Sequence, residues 1–371
     1  MTSRIGFIID NWLPAWTFKA VAKCGLRSLW LGSPRPTPMG IMRFGWLADH
    51  VNRIPGNTLQ YELYRPGRQY QAIVFLKSFD DDCLHFARRI RHQGGRVIFE
   101  INVNYCENSG PSYFKGIGPT PDQTSRALEM TRECDAVITA SSWLQQKYGA
   151  INANTIWIPD NVNFDIVPPF HDWRRTQGHA LPLLWCGQAE KLFELLAIAD
   201  TLQQYRKHIK LVLMTNNLNY LTRVNEPYRT QLRNLLSLLK VEILPYVDLE
   251  GWLQLCAQGG VTISPRFLDN AYNLGHTEWK LALPMSCGRM ALASPLKSYA
   301  RVAELGGGHG LWICHQPDDW SQSLETLLTD HVDWRLEQQT ARTVIQKHYS
   351  SNVIALQHRD YVQYLLSRRS T

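Results

Sequence analysis

LPLLWCGQAEKLFELLAIADTLQQYRKHIKLVLMT, residues 181–215, is the stretch on which the fold turns. An apolar run, LPLLWC, stops at Gly187; helical spacing follows over 189–206; a second apolar run, KLVLMT, occupies 210–215. Short apolar runs bounded by turn residues read as strands buried on both faces. Two of them joined by a helix read as a parallel pair with a right-handed crossover.

The same alternation extends in both directions. Upstream lie IGFII (5–9), SLWLG (28–32), AIVFLK (72–77), RVIFEI (96–101), AVIT (136–139) and TIWI (155–158), with helical spacing over 81–93 and 121–134. Downstream lie VEILP (241–245), VTIS (261–264), MALA (290–293) and LWIC (311–314). Helical segments at 225–239, 248–257, 277–286, 297–305 and 317–329 lie among them, and two strandless helices end the chain at 332–348 and 351–368. This predicts an α/β protein of two doubly wound, Rossmann-like parallel-sheet domains facing a cleft. The expected bounds are 1–165 for the first domain, 166–180 for a linker, 181–348 for the second domain and 349–371 for a C-terminal helix. The linker is read from the proline-rich, aperiodic stretch 158–182.

A length of 371 residues suits two such domains. With 44% hydrophobic and 19% charged residues the chain is a folded protein. Its apolar runs are far shorter than a membrane span of about 20 residues, and MTSRIGFIIDNW enters a strand-like run directly. A cytoplasmic protein is expected, with peripheral contact at the inner face of a membrane left open. The net charge of +7 is spread along the chain, with 18 Lys/Arg against 14 Asp/Glu over 1–165 and 21 against 18 beyond. There is no basic tail of the kind nucleic-acid binders carry, so no nucleic-acid partner is expected. The eight cysteines stand singly, without CxxC, as buried reduced thiols do.

Few motifs carry chemistry. FDDDC at 79–83 reads either as a helix cap supplied by Asp80 or Asp81 or as an acidic metal site, and capping fits the helix that follows. The histidines show no paired ligand spacing, so no metal is expected. ARRIRHQGGR, 87–96, reads as a solvated helix end or as a patch for phospholipid headgroups. Asn11 and Trp12 follow the first strand, and Asn102, Asn104 and Glu107 follow strand 96–101. All five are candidates to line the cleft, and the family resemblance described below would place them on the acceptor side.

Two loops of the second domain are more specific. Gly187 sits between strand and helix, where backbone N–H groups can approach a phosphate, with Gln188 and Lys191 beside it. NLGHTEWKLALPMSCGRMALASP, 273–295, places Thr277 as a candidate N-cap and Lys280 in the first helical turn. A lysine is unfavourable there because the helix N-terminus is already positive. It becomes useful where the ammonium and the free N–H groups together meet a diphosphate. His276 stands just outside as a further hydrogen-bond donor, and Asn273 and Glu278 complete the candidate set, which the family resemblance described below would make donor-binding.

Taken in order, CDAVITASSWLQQKYG (134–149), WIPDNVN (157–163), LLWCGQAEK (183–191), VEILPYVDLEGWLQLCAQGGVTISPR (241–266) and WKLALPMSCGRMALASPLKSY (279–299) resemble GT-B-fold retaining glycosyltransferases of the group called family 4. The resemblance implies a GT-B fold with the last helix crossing back to the first domain. It also implies transfer of a sugar from a UDP-, GDP- or dTDP-linked donor to a glycan, lipid-linked or other acceptor, with retention and without metal or other cofactor. By position, Lys280 matches a lysine at the donor phosphates, with His276 beside it as a second leaving-group stabiliser, and Gly187 matches the glycine loop beneath them. Leu283 stands where the family has a ribose-binding glutamate, and Gln188 where it often has an arginine. Two other classes remain open: a non-catalytic nucleotide or sugar binder on the same fold, and a sugar-nucleotide epimerase.

Overall fold

The computed structural model describes residues 2–9, 40–245, 249–329 and 331–368. The chain forms two compact units. The first comprises Met1–Asn108, Pro119–Asn163 and Tyr349–Thr371; the second comprises Ser109–Gly118 and Phe164–His348.

Among the described residues the first unit holds six parallel strands, β1 (Ser3–Ile9), β2 (Leu59–Leu63), β3 (Ala72–Leu76), β4 (Arg96–Ile101), β5 (Ala136–Thr139) and β6 (Thr155–Trp157). Their order is β2-β1-β3-β4-β5-β6. Every residue of β3, AIVFL, is buried, as a central parallel strand with helices on both faces requires. Strand β2, LQYEL, is an addition to the sequence reading: its apolar positions alternate, so it lacks the continuous run that marks its neighbours. The strand expected at 28–32 lies outside the described residues.

Strand β4 carries Glu100 into this core with no exposed surface. Burial alone would raise its carboxyl, but Arg43 and a hydrogen bond from His358 outweigh it and hold Glu100 below its ordinary value. Arg43 Nε donates to Glu100 Oε1 at 2.6 Å, and its Nη1 to the carbonyls of Ile158 and Pro159 at 2.8 and 2.9 Å. His358 comes from the final helix, Ser351–Ser367, and also bonds Tyr61 Oη at 2.8 Å. The last helix is therefore built into the first unit, as expected.

Asp80 caps the helix Asp81–His92, accepting from the Cys83 amide at 2.8 Å. Asp80→Ala is expected to lower stability by about 1 kcal/mol, read from the midpoint of a urea melt.

The second unit has strands β7 (Leu181–Cys186), β8 (Ile209–Thr215), β9 (Val241–Pro245), β10 (Val261–Ser264), β11 (Met290–Ala293) and β12 (Leu311–Ile313), matching the expected runs to within a residue. Their order is β12-β11-β10-β7-β8-β9, all parallel. The chain starts at the centre, winds out to β9, then returns beside β7 and winds the other way. The order reverses between β7 and β10, and the carboxyl ends at such a switch point are where open α/β sheets bind ligands.

Two bounds differ from the sequence reading. Ser109–Gly118 belongs to the second unit, because Tyr113, Phe114 and Ile117 are buried in its core. Residues 166–180 pack there too. The Trp173 ring meets Trp334 edge-on at 5.0 Å, and the Trp173 backbone exchanges hydrogen bonds with the Gln338 side chain at 3.0 and 2.6 Å. An aperiodic stretch looks like a linker in sequence, but its aromatic residues anchor it.

Among the described residues no helix is long and apolar enough to cross a membrane. The seven described cysteines are all free.

Candidate functional site

The switch point brings together Gly187, which follows β7, and Arg266, which follows β10 by two residues. Behind them the segment Ala189–Ile198 winds as a tight 3-10 helix. Its sequence, AEKLFELLAI, places Glu194 among apolar neighbours with no exposed surface. A buried carboxylate needs a partner. The Arg266 guanidinium supplies it, forming a short ion pair with Glu194 Oε1 in which both side chains are almost fully buried. Arg266 also donates from Nη2 to Tyr299 Oη at 3.2 Å, and its backbone N–H to Ser294 Oγ at 2.8 Å.

Lys280 approaches the same carboxylate from the other side, with Nζ 3.6 Å from Glu194 Oε2 and 5.1 Å from the centre of the Trp185 ring. It lies in the first turn of the helix Trp279–Ser286, as expected. The cap differs from the sequence reading. The residue before that helix is Glu278, in helical conformation and without a side-chain cap bond, so Thr277 does not cap it. The side-chain cap sits further upstream, where Asn270 accepts from the Asn273 amide and starts the short helix Ala271–Leu274. Two helical segments in succession leave Thr277 inside a turn.

The electrostatics are those of a site short of negative charge. Burial, then the neighbouring Arg266 guanidinium, lower the Lys280 ammonium to about 7, and Glu194 only partly opposes them. Burial, with Arg266, Lys191 and Lys280 close by, pushes the His276 imidazole far below its ordinary value, so it is neutral at physiological pH. Glu194 keeps Arg266 charged in spite of its burial. Lys191 stands over the Tyr272 ring at 5.1 Å, and Tyr272 meets the His276 ring at 4.6 Å. The buried atoms Lys280 Nζ, Arg266 Nε, His276 Nε2, Glu194 Oε2 and Asn273 Oδ1 have no hydrogen-bond partner among the described residues. Native proteins hold few such atoms, and a cluster of them fits a place that a ligand or solvent fills.

The structure thus brings Gly187, Lys191, His276 and Lys280 into one neighbourhood. A Cβ on Gly187 would lie 2.7 Å from the Trp185 ring and 3.1 Å from Lys280 Nζ, so only glycine leaves this approach open. Gly187→Ala is expected to shift Trp185 and Lys280, weakening binding of an anionic ligand by roughly tenfold at the typical cost of overpacking. Calorimetric titration with inorganic pyrophosphate measures it. Asn273 is buried and serves the loop, its Nδ2 donating to the Phe267 carbonyl at 2.8 Å. Glu278 is fully buried, and Gln188 is exposed at the start of the 3-10 segment. Leu283 is buried and apolar.

The acceptor-side candidates lie in the first unit. Asn11 and Trp12 fall outside the described residues. Asn104 is a loop former, its side chain accepting from the Cys106 amide at 2.9 Å and donating to the Glu107 carbonyl at 3.2 Å. Glu107 pairs with Lys147 at 3.0 Å, and Asn102 Oδ1 is buried without a hydrogen-bond partner among the described residues. Among the described residues no three His, Cys, Asp or Glu side chains group as a metal site.

Sequence reasoning missed Arg266 and Glu194. The signal for Glu194 was present, a lone carboxylate inside LFELLAI. Arg266 had only its place directly after VTISP.

No protein-family model and no curated protein matches the sequence. Solved structures do match. HepE from Anabaena, determined with UDP and glucose, gives a TM-score of 0.63 at 10% identity, covering 98% of this chain and 100% of that one. A glycosyltransferase from Rickettsia africae gives 0.62 at 8% identity, with 99% of each chain covered. Sucrose-phosphate synthase from Thermosynechococcus elongatus gives 0.58 at 14% identity, over 80% of this chain and 74% of that one. The likeness is one of fold: two Rossmann-like units, each with a parallel six-stranded sheet, as in the GT-B glycosyltransferases.

Proposed function

We propose that the protein is a glycosyltransferase that takes a sugar from a nucleoside-diphosphate donor held at the carboxyl edge of β7 and β10. The observation that carries this reading is the convergence of Arg266 and Lys280 on the buried Glu194 carboxylate, with Lys191 close to Lys280 and with buried donor atoms that have no hydrogen-bond partner among the described residues. A diphosphate would meet the positive charge gathered at Arg266 and Lys280. The GT-B fold supports the same reading, since HepE with that fold was determined with UDP and glucose and with UDP-glucose.

In the reaction the bond from the sugar C1 to the donor phosphate oxygen breaks, and its electron pair goes to that oxygen. A hydroxyl of a glycan or lipid-linked acceptor forms the new bond to C1. Retention follows if the acceptor attacks from the face the diphosphate leaves, with the acceptor proton passing to a departing phosphate oxygen. Charge grows on the diphosphate as C1–O cleaves, so Lys280 and Arg266 bind the transition state more strongly than the ground state. His276 offers a neutral N–H beside them. The scheme routes no step through a metal; Lys280 and Arg266 would supply the positive charge at the departing diphosphate.

Thermal-shift screening against UDP-, GDP- and dTDP-sugars tests the reading. A rise in Tm with one of them, absent in Lys280→Ala, is the expected result. No shift with any of them would refute it. Binding without turnover across a panel of acceptors would favour a non-catalytic nucleotide-sugar binder, a reading to which the buried Leu283 lends some weight.

A further inference from the structure

We infer that the arm Ser109–Gly118 positions the anion site of the second unit, with Tyr113 as the positioning residue; the inference rests on the diphosphate reading of that site. The chain leaves the first unit after Asn108 and rejoins it at Pro119, and in between it is built into the second unit. Hydrogen bonds to residues 223–225 anchor the arm on one side. Lys115 N donates to the Arg223 carbonyl and Asn225 N to the Tyr113 carbonyl, each at 2.9 Å, and Asn225 Nδ2 donates to the Ser112 carbonyl at 2.8 Å.

The other side of the arm grips the segment that begins with Arg266. The Tyr113 ring packs nearly parallel to Phe267, with centroids 4.6 Å apart and planes within 18°. It also packs against Phe193 at 4.6 Å and 10°. These two phenylalanines adjoin the two ends of the buried ion pair in sequence, Phe193 before Glu194 and Phe267 after Arg266. The Tyr113 hydroxyl donates to Asp269 Oδ2 at 2.6 Å, and the Ser109 carbonyl accepts from Ala271 N at 3.0 Å. Gly110, at φ +92°, lets the backbones touch: a Cβ there would sit 2.1 Å from the Asp269 carbonyl.

The arm residues that grip this loop, Ser109, Gly110 and Tyr113, carry no charge. Their effect is to fix where the loop 266–271 runs, and so where the Arg266 guanidinium meets Glu194. A group within a bond length of its productive place gains most from such support, because a site about 1 Å too loose loses its advantage. The hydroxyl–carboxylate bond is the separable part of the grip.

A double-mutant cycle on Tyr113→Phe and Asp269→Ala tests this, with inorganic pyrophosphate as the titrant and calorimetric Kd as the readout. Phenylalanine keeps the ring packing, and Asp269 is exposed, so both proteins are expected to fold; melting curves check that they do. Each single variant is expected to weaken pyrophosphate binding about three- to tenfold, the range set by one hydrogen bond. The double variant is expected to be no worse than the weaker single. Asp269→Ala is diagnostic in sign: removing a negative charge would by itself strengthen anion binding, so weaker binding points to positioning. Wild-type affinity in both single variants, or tighter binding in Asp269→Ala, would overturn the inference. If wild type binds no pyrophosphate, or Lys280→Ala binds it as wild type does, the diphosphate reading fails and the inference falls with it.

Discussion

Lys280→Ala is expected to lower kcat/KM for the nucleotide sugar by about 10²–10³-fold, the usual loss when one donor to a developing oxyanion is removed. The fold should not suffer. Burial and Arg266 hold the Lys280 ammonium at about 7, far below the 10.5 of an unfolded lysine. Between those values the unfolded chain binds a proton that the folded chain lacks, so stability rises with pH across that window. Below pH 7 the folded state carries the full burden of a buried, crowded ammonium. Alanine removes it, and Tm at pH 7 should stay level or rise.

The same shift gives donor binding a pH dependence. A diphosphate beside Nζ restores the ammonium, so binding takes up a proton wherever free Lys280 is neutral. Affinity should therefore fall above pH 7, approaching tenfold per pH unit. In Lys280→Ala that dependence should vanish, since His276 titrates far below this range. A steep fall in donor affinity that survives in the alanine variant would count against this assignment.

Glu194→Gln is expected to have the largest effect on stability, roughly 3–5 kcal/mol, because it leaves the buried Arg266 charge without its carboxylate. For a domain of this size that corresponds to a fall in Tm of very roughly 6–20 °C. The loss should be unusually responsive to anions. With Glu194 neutral, Arg266 and Lys280 lose the carboxylate they share, so saturating pyrophosphate should raise the variant's Tm by more than it raises that of wild type. Melts with and without pyrophosphate measure both numbers. Equal shifts in the two proteins would mean that Glu194 does not balance the cations of this site.

How much of this was legible depends on whether each feature is local. The β strands of the second unit were readable because each is a short, largely apolar run, and the switch-point glycine sits at the end of one. Lys280 was readable because a lysine in a first helical turn contradicts the helix dipole. Arg266 was not. It opens the polar loop RFLDNAYNLGH, which has no periodicity, and its partner Glu194 lies 72 residues away. The arm was hidden for the same reason: SGPSYFKGIG reads as a loop, and only long-range packing of Tyr113, Phe114 and Ile117 assigns it to the second unit. Thr277 had a good capping sequence, but the preceding short helix, started by Asn270, took the cap upstream.

Calorimetric titration of UDP-, GDP- and dTDP-glucose into wild type and Lys280→Ala, at pH 7 and pH 9, tests the central claim most directly. The diphosphate bridge does not titrate in that range, and ionisation of the base is common to both titrations, so the difference in pH response between wild type and variant belongs to Lys280. The account predicts one donor that binds wild type at pH 7 with proton uptake, weakens by tenfold or more at pH 9, and loses both affinity and pH response in the variant. No binding to wild type, or the same Kd for both proteins at both pH values, would contradict it.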